Sequence, residues 1–239
     1  MIGRIVWLAL LFGVALVTIG VQLDRQARVS PALASAVPEP FRAFAQSRIA
    51  SSAVLGDDPA RALSEAERLV ARRPIPAQHL RLLASAQFKA EQVESGSQTV
   101  QIAAQRGWRD PLSQQAVLEL ALAVDDRAEA ARRYAALLLN GDTDNALLSE
   151  LGSKTFTEQG DAAHDTFASI VEGGTRWHDF FLRRGARVMP AEAFVAIVGD
   201  ARERGSRFEC QAIDRTVRQL SNRDPAAAEE LRAAFAADC

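Results

Sequence analysis

Histidine and cysteine are scarce in this chain, three His and two Cys in 239 residues, so their placement decides most of its accessible chemistry. His164-Asp165 and His178-Asp179 are the pairs that resemble general-base machinery. Adjacent residues on a helix do not face one another, so neither pair forms a His–carboxylate couple by itself. Both histidines are therefore read as ordinary surface or core residues. The acidic pairs Asp57-Asp58, Asp125-Asp126 and Glu229-Glu230 read as helix caps or solvated faces. No G-x-S-x-G, phosphate loop, H-E-x-x-H or C-x-x-C-H occurs, which removes the common hydrolase, nucleotide, zinc and haem-attachment signatures. The expectation is a chain that is not an enzyme, with no catalytic residue, no metal ligand and no cofactor. An activity on a helical scaffold would need a carboxylate or histidine site that the sequence does not display.

The cysteines lend themselves to a different chemistry. Cys210 begins one expected helix and Cys239 ends the next, with the turn between them near Arg223-Asp224. Counted outward from that turn they are offset by only about 4–5 Å of helix rise. In an antiparallel hairpin a disulfide between them is sterically reasonable, and such a bond persists in an oxidising compartment. The alternative is two unrelated thiols, one of them on a frayed terminus. Two isolated cysteines lack the ligand spacing of a zinc site.

The elements that carry these residues are helical throughout. No segment after Pro40 sustains a period of two, whereas helical spacing recurs. Asp58-Pro59, Asp110-Pro111 and Asp224-Pro225 each set a capping Asp before a Pro at the first helical position. Gly56, Gly107, Gly141, Gly160, Gly173-Gly174 and Gly205 fall where helices should stop. The pattern predicts about ten or eleven helices after Pro40 and almost no β-structure.

Ahead of them lies the apolar run Ile5–Leu23, IVWLALLFGVALVTIGVQL, without a single charge. As a helix it would span roughly 28 Å, close to a hydrocarbon core. It is longer than a signal-peptide apolar region, and the small-residue sites Ala32-Leu33-Ala34 and Ala34-Ser35-Ala36 lie well beyond its end. The reading is a transmembrane anchor over residues 1–25, with a cleaved signal or a buried core helix as alternatives. Arg4 precedes the run while Arg25 and Arg28 follow it, so arginine counting alone does not favour export, although long domains translocate largely regardless of flanking charge. The disulfide argument places the domain on the periplasmic side of an inner membrane. Pro31, Pro38 and Pro40 make residues 26–40 a connecting stalk. A net charge of −2 offers no basic field for nucleic acid.

An internal period runs through the helices. Ala62, Gly96 and Ala130 recur every 34 residues, as do Ala50, Ala84 and Leu118, the residues before these (Ile49, Leu83, Val117), and Leu69, Ala103 and Leu137. Small residues are required where two helices of a hairpin cross closely, and larger apolar ones fill the next layer. On these columns the chain resembles the tetratricopeptide repeat family, whose 34-residue helix–turn–helix units stack into a solenoid. Taking repeats at 43–76, 77–110 and 111–144, Ala50 and Ala62 fit the small positions, Tyr134 the aromatic one and Pro74 the closing proline. The usual first-helix Trp and Tyr are missing, Leu118 replaces a small residue, and Trp108 stands in the proline column. In a degenerate fourth unit Leu151-Gly152 fit and His164 replaces Ala. The expected fold is all-α: an N-terminal transmembrane helix, then a repeat solenoid over 41–175 and capping helices over 176–239. A generic α-hairpin array is the alternative. Phe180, Phe181, Phe194, Val195 and Val198 are expected to close its apolar end.

The resemblance implies a concave, partner-binding surface lined by first helices, with Gln78, Arg81, Ser85 and Phe88 in one repeat and Gln115, Glu119 and Leu122 in the next. The expected partners are a peptide segment or helix of another protein, and the lipid bilayer through Ile5–Leu23. The expected role is a scaffold or assembly factor for an envelope complex, the alternative a stoichiometric subunit of a membrane complex.

Overall fold

Aspartate caps set the helix boundaries in a computed structural model, which describes residues 2–158 and 160–239. Asp58 accepts from the amide of Arg61 at 3.0 Å to start α3 (Pro59–Arg72), and Asp224 accepts from Ala227 at 3.0 Å to start α13 (Pro225–Phe235). Asp126, Asp144 and Asp161 cap α7 (Arg127–Leu139), α8 (Asn145–Thr155) and α9 (Ala162–Glu172) in the same way. Each carboxylate satisfies amides that a helix start leaves without a partner. At α6 (Pro111–Ala123) the buried Asp110 accepts from the Ser113 hydroxyl. Among the described residues there are thirteen α-helices and no strand.

The chain forms two compact units, divided between Gly107 and Trp108. The first opens with α1 (Ile2–Ala27), long and apolar enough to cross a membrane and exposed over most of its length. Residues 28–40, which fall in the stretch 26–40 read from the sequence as a stalk, are bound to the unit. Short 3-10 turns at Pro31–Ala36 and Glu39–Phe41 bury Ala34 and Val37 against Ala27 of α1 and Ala45 of α2 (Phe44–Leu55). Prolines 31, 38 and 40 prevent α-helix here without preventing burial. The remaining helices, α3, α4 (Ala77–Lys89) and α5 (Val93–Arg106), pack as successive neighbours, α2 with α3 and α4 with α5. Small residues line these crossings: Ala50, Ala62, Ala84 and Gly96 are buried, and the Phe88 ring lies directly over Gly96.

The second unit contains α6 to α9, α10 (His178–Val188), α11 (Ala191–Glu203), α12 (Cys210–Ser221) and α13. Its core is continuous and built on aromatic rings. Tyr134, Phe156, Phe167, Phe181 and Phe194 follow one another with centroids 5.3–5.6 Å apart, the offset and edge-on spacing that such rings favour. The Tyr134 hydroxyl donates to the Leu148 carbonyl at 3.1 Å, and burial pushes its pKa up. Phe181, Phe194, Val195 and Val198 are buried, whereas Phe180 is half-buried beneath the Arg184 guanidinium. Cys210 and Cys239 are joined by a disulfide, their Cα atoms 5.4 Å apart.

One structural period is visible in the turns. Glu91 and Asp125, 34 residues apart, have φ of 60° and 58°. Each sits in a turn closed by the same pair of bonds: Gln92 N to Gln87 O with Ala90 N to Ala86 O, and Asp126 N to Ala121 O with Val124 N to Leu120 O. The two hairpins, α4–α5 and α6–α7, thus share a helix-ending geometry in which a non-glycine residue adopts the left-handed conformation.

Candidate functional site

The seven residues expected to face a partner lie on α4 and α6. Gln78 is exposed at the start of α4, and Ser85 Oγ donates back to the Arg81 carbonyl at 3.0 Å. Phe88 is turned inward: a Cβ on Gly96 would lie 2.9 Å from its ring, so Phe88 holds the α4–α5 hairpin closed. On α6, Gln115 Nε2 donates to Glu119 Oε1 at 2.9 Å, an i,i+4 pair on the surface. Leu122 packs against the core of the second unit. Of the polar members, Gln78 and Glu119 are exposed and Arg81, Ser85 and Gln115 half-buried, and the two apolar members act in packing. Gln78, Arg81, Ser85 and Phe88 belong to the first unit, Gln115, Glu119 and Leu122 to the second.

The histidine pairs do not make acid–base couples with their neighbours. His164 is buried with Nδ1 3.1 Å from Asp161, while Asp165 pairs with Arg204 at 2.5 Å. His178 is buried with Nε2 2.8 Å from the Val171 carbonyl and its ring 4.7 Å from Phe208. Asp179 turns to Arg183 and Arg215. His79, which no sequence motif singles out, is also buried, with Nδ1 2.9 Å from the Arg73 carbonyl. Burial lowers its pKa, outweighing that hydrogen bond. Among the described residues no three His, Cys, Asp or Glu side chains group to hold a metal ion.

Arginine does most of the long-range tethering. In the second unit a cavity of about 550 Å³ is bordered by Thr143, Asp144, Asn145, Arg183, Arg184 and Arg187. Arg184 donates to the carbonyls of Leu138, Asn140 and Thr143, satisfying the end of α7 and its following loop. Glu129 is held below its ordinary pKa: burial works to raise it, and hydrogen bonds from Arg133 and Arg132, at 2.7 and 2.9 Å, outweigh that.

The residue that sequence reasoning missed is Asp24. It is buried at the end of α1, and its carboxylate accepts from the amides of Ala43, Phe44 and Ala45 at 2.9, 3.0 and 2.9 Å. A helix of the domain is thus capped by a residue of the apolar helix. The available signal was a lone acid directly after an uncharged run. Nothing local could pair it with amides 19–21 residues away. No family model, curated protein or solved structure matches the chain.

Proposed function

We propose that the chain is a membrane-anchored helical-repeat protein that works by binding other proteins, as a scaffold or assembly factor of a bacterial envelope complex. The observation that carries this reading is the joining of α1 to the helical hairpins of the first unit through Asp24, which suits a protein that presents a helical surface at a fixed place on a bilayer. The shared turn at Glu91 and Asp125 and the buried small-residue columns support tetratricopeptide-like hairpins, with α4 and α6 as the first helix of each. Gln78 and Arg81 on α4, and separately Gln115 and Glu119 on α6, are the groups that each unit would offer to a partner segment. The Cys210–Cys239 bond supports placement of the domain on the oxidising, periplasmic side of an inner membrane.

The test is purification of the full-length chain from native membranes in mild detergent, with the co-purifying proteins identified by mass spectrometry. Substoichiometric, exported clients are expected for a scaffold. A constant set at fixed ratio would replace that role with a subunit of one complex. Recovery of the chain alone would remove the protein-binding reading.

A further inference from the structure

Six arginines gather where α1 leaves its apolar stretch. Arg25 and Arg28 follow the run directly. The Phe44 ring, fixed by the Asp24 cap, carries the guanidinium groups of Arg28 at 5.8 Å and Arg73 at 4.7 Å. Arg48 donates to the Arg28 carbonyl at 2.9 Å. Arg72 donates to the carbonyls of Glu39 and Arg42 at 2.5 and 2.9 Å, and Arg42 donates to that of Val37 at 2.8 Å. Against them stand Asp24, buried and taken up by three amides, Glu39, 3.4 Å from Arg72, and Glu65, which accepts from Gln46 Nε2 at 2.7 Å and pairs with Arg68. The first unit carries twelve Arg and Lys against eight Asp and Glu, the second sixteen against twenty-two. The unit that bears the apolar helix is therefore net positive, by four charges, and the other net negative, by six.

The depth of this collar follows from Gly20. A Cβ there would lie 2.6 Å from the Phe41 ring, so Phe41 rests on α1 three residues before the apolar run ends at Leu23. At about 1.5 Å per residue that is roughly 5 Å inside the end of the run, so the turn that carries Phe41 lies beside the last apolar turn of α1. Arg42 and Arg72 are bonded to the same turn, which sets them at headgroup level. Arg48 also borders a cleft of about 570 Å³ with Arg61, Ser35, Ser52 and the exposed Leu55, a lining that pairs cationic and hydroxyl groups with an apolar edge.

We propose that this collar docks on the headgroups of anionic phospholipids and holds residues 38–48 and 72–73 against the bilayer surface. The proposal rests on the reading that α1 spans the membrane. Each basic side chain near an anionic surface favours binding by about fivefold, and added salt screens that gain.

The full-length chain is reconstituted in nanodiscs of phosphatidylcholine alone, or with roughly one-third phosphatidylglycerol. Amide hydrogen exchange is then followed across residues 38–48 and 70–76. Exchange at least about fivefold slower in the phosphatidylglycerol discs is expected, with the difference collapsing at about 0.5 M NaCl and in the triple variant Arg28→Gln, Arg48→Gln, Arg73→Gln. The variant is valid where its exchange in phosphatidylcholine discs equals that of the wild type; if it does not fold, the salt series on the wild type decides. Equal exchange in both lipids, or a difference indifferent to salt, overturns the collar and leaves the anchor standing. A chain that co-elutes with neither disc overturns the anchor and the collar with it.

Discussion

Asp24 is the residue on which the N-terminal half of the first unit depends. Of its three amide partners Ala45 is buried and Ala43 and Phe44 are half-buried, and an unsatisfied buried donor costs more than the net worth of the bond that is lost. Asp24→Ala should destabilise the first unit by about 2 kcal/mol, the upper end for loss of an N-cap, and Asp24→Asn by about half of that. Denaturant unfolding of the detergent-solubilised chain, followed by hydrogen exchange at residues 43–45, measures both. Glycine gives a matched pair in the second unit. Gly152 lies under the fully buried Tyr134, and a Cβ there would meet the hydroxyl at 2.8 Å. Gly199, in α11, has nothing within 4 Å. Overpacking costs about 1–3 kcal/mol, whereas replacing an unhindered helical glycine by alanine gains up to about 1 kcal/mol. Gly152→Ala should therefore lower Tm and Gly199→Ala raise it, as read by thermal scans of the two variants. His79 supplies a pH dependence. Its folded pKa lies below the unfolded value, so between those values the unfolded chain binds more protons, and stability falls as pH drops below about 6.5. Tm measured from pH 7.5 down to 5.5 should decline more in the wild type than in His79→Gln.

At the scale of elements, the local signals in the sequence were the ones that could be read. Asp58-Pro59, Asp110-Pro111 and Asp224-Pro225 do begin helices, because an N-cap followed by proline acts within one turn. The left-handed residues Glu91 and Asp125 were invisible, since the turn they occupy usually advertises itself with glycine or asparagine. Residues 26–40 were read as a connector because their prolines exclude a helix; only the far side of the contact, Ala45 and the amides Asp24 caps, shows that they are packed. The expected partner-facing set mixed two kinds of position: Gln78 and Glu119 lie at the surface, while Phe88 and Leu122 are held in packing. Helical periodicity alone does not separate those faces where small and apolar residues surround the helix. The last hairpin makes its own prediction. The Cys210–Cys239 bond closes the α12–α13 pair over a sequence separation of 29 residues, and a loop of that size constrains the unfolded chain by about 3–4 kcal/mol in the chain-entropy model. Reduction, or Cys210→Ser, should lower the Tm of the second unit and speed exchange in α13. Unchanged exchange there would show that the bond adds nothing to the hairpin.

For the whole molecule, the question with the widest consequence is whether α1 stays attached. An apolar helix near the N-terminus has the length of a membrane span and also the position of a signal sequence. The two fates differ in what they leave behind. Cleavage after Ala34 or Ala36 would remove Ala27 and Ala34, both buried, and Asp24, leaving the amides of Ala43, Phe44 and Ala45 without the carboxylate that satisfies them. Gly20 would also be withdrawn from beneath Phe41. A cleaved signal ordinarily ends outside the fold it exports, because the mature domain must be stable without it; here the last turns of the helix belong to the hydrophobic cluster and the capping of the first unit. This packing predicts retention, and with it a domain held at the bilayer without a free linker. Intact-mass and peptide mass spectrometry of the chain isolated from its native membrane should recover peptides spanning residues 26–42, and the chain should stay with the membrane in alkaline carbonate. A mature chain beginning at Ser35 or Val37 and released into the soluble fraction would refute retention, and would require Ala43–Ala45 to find other acceptors in the processed protein.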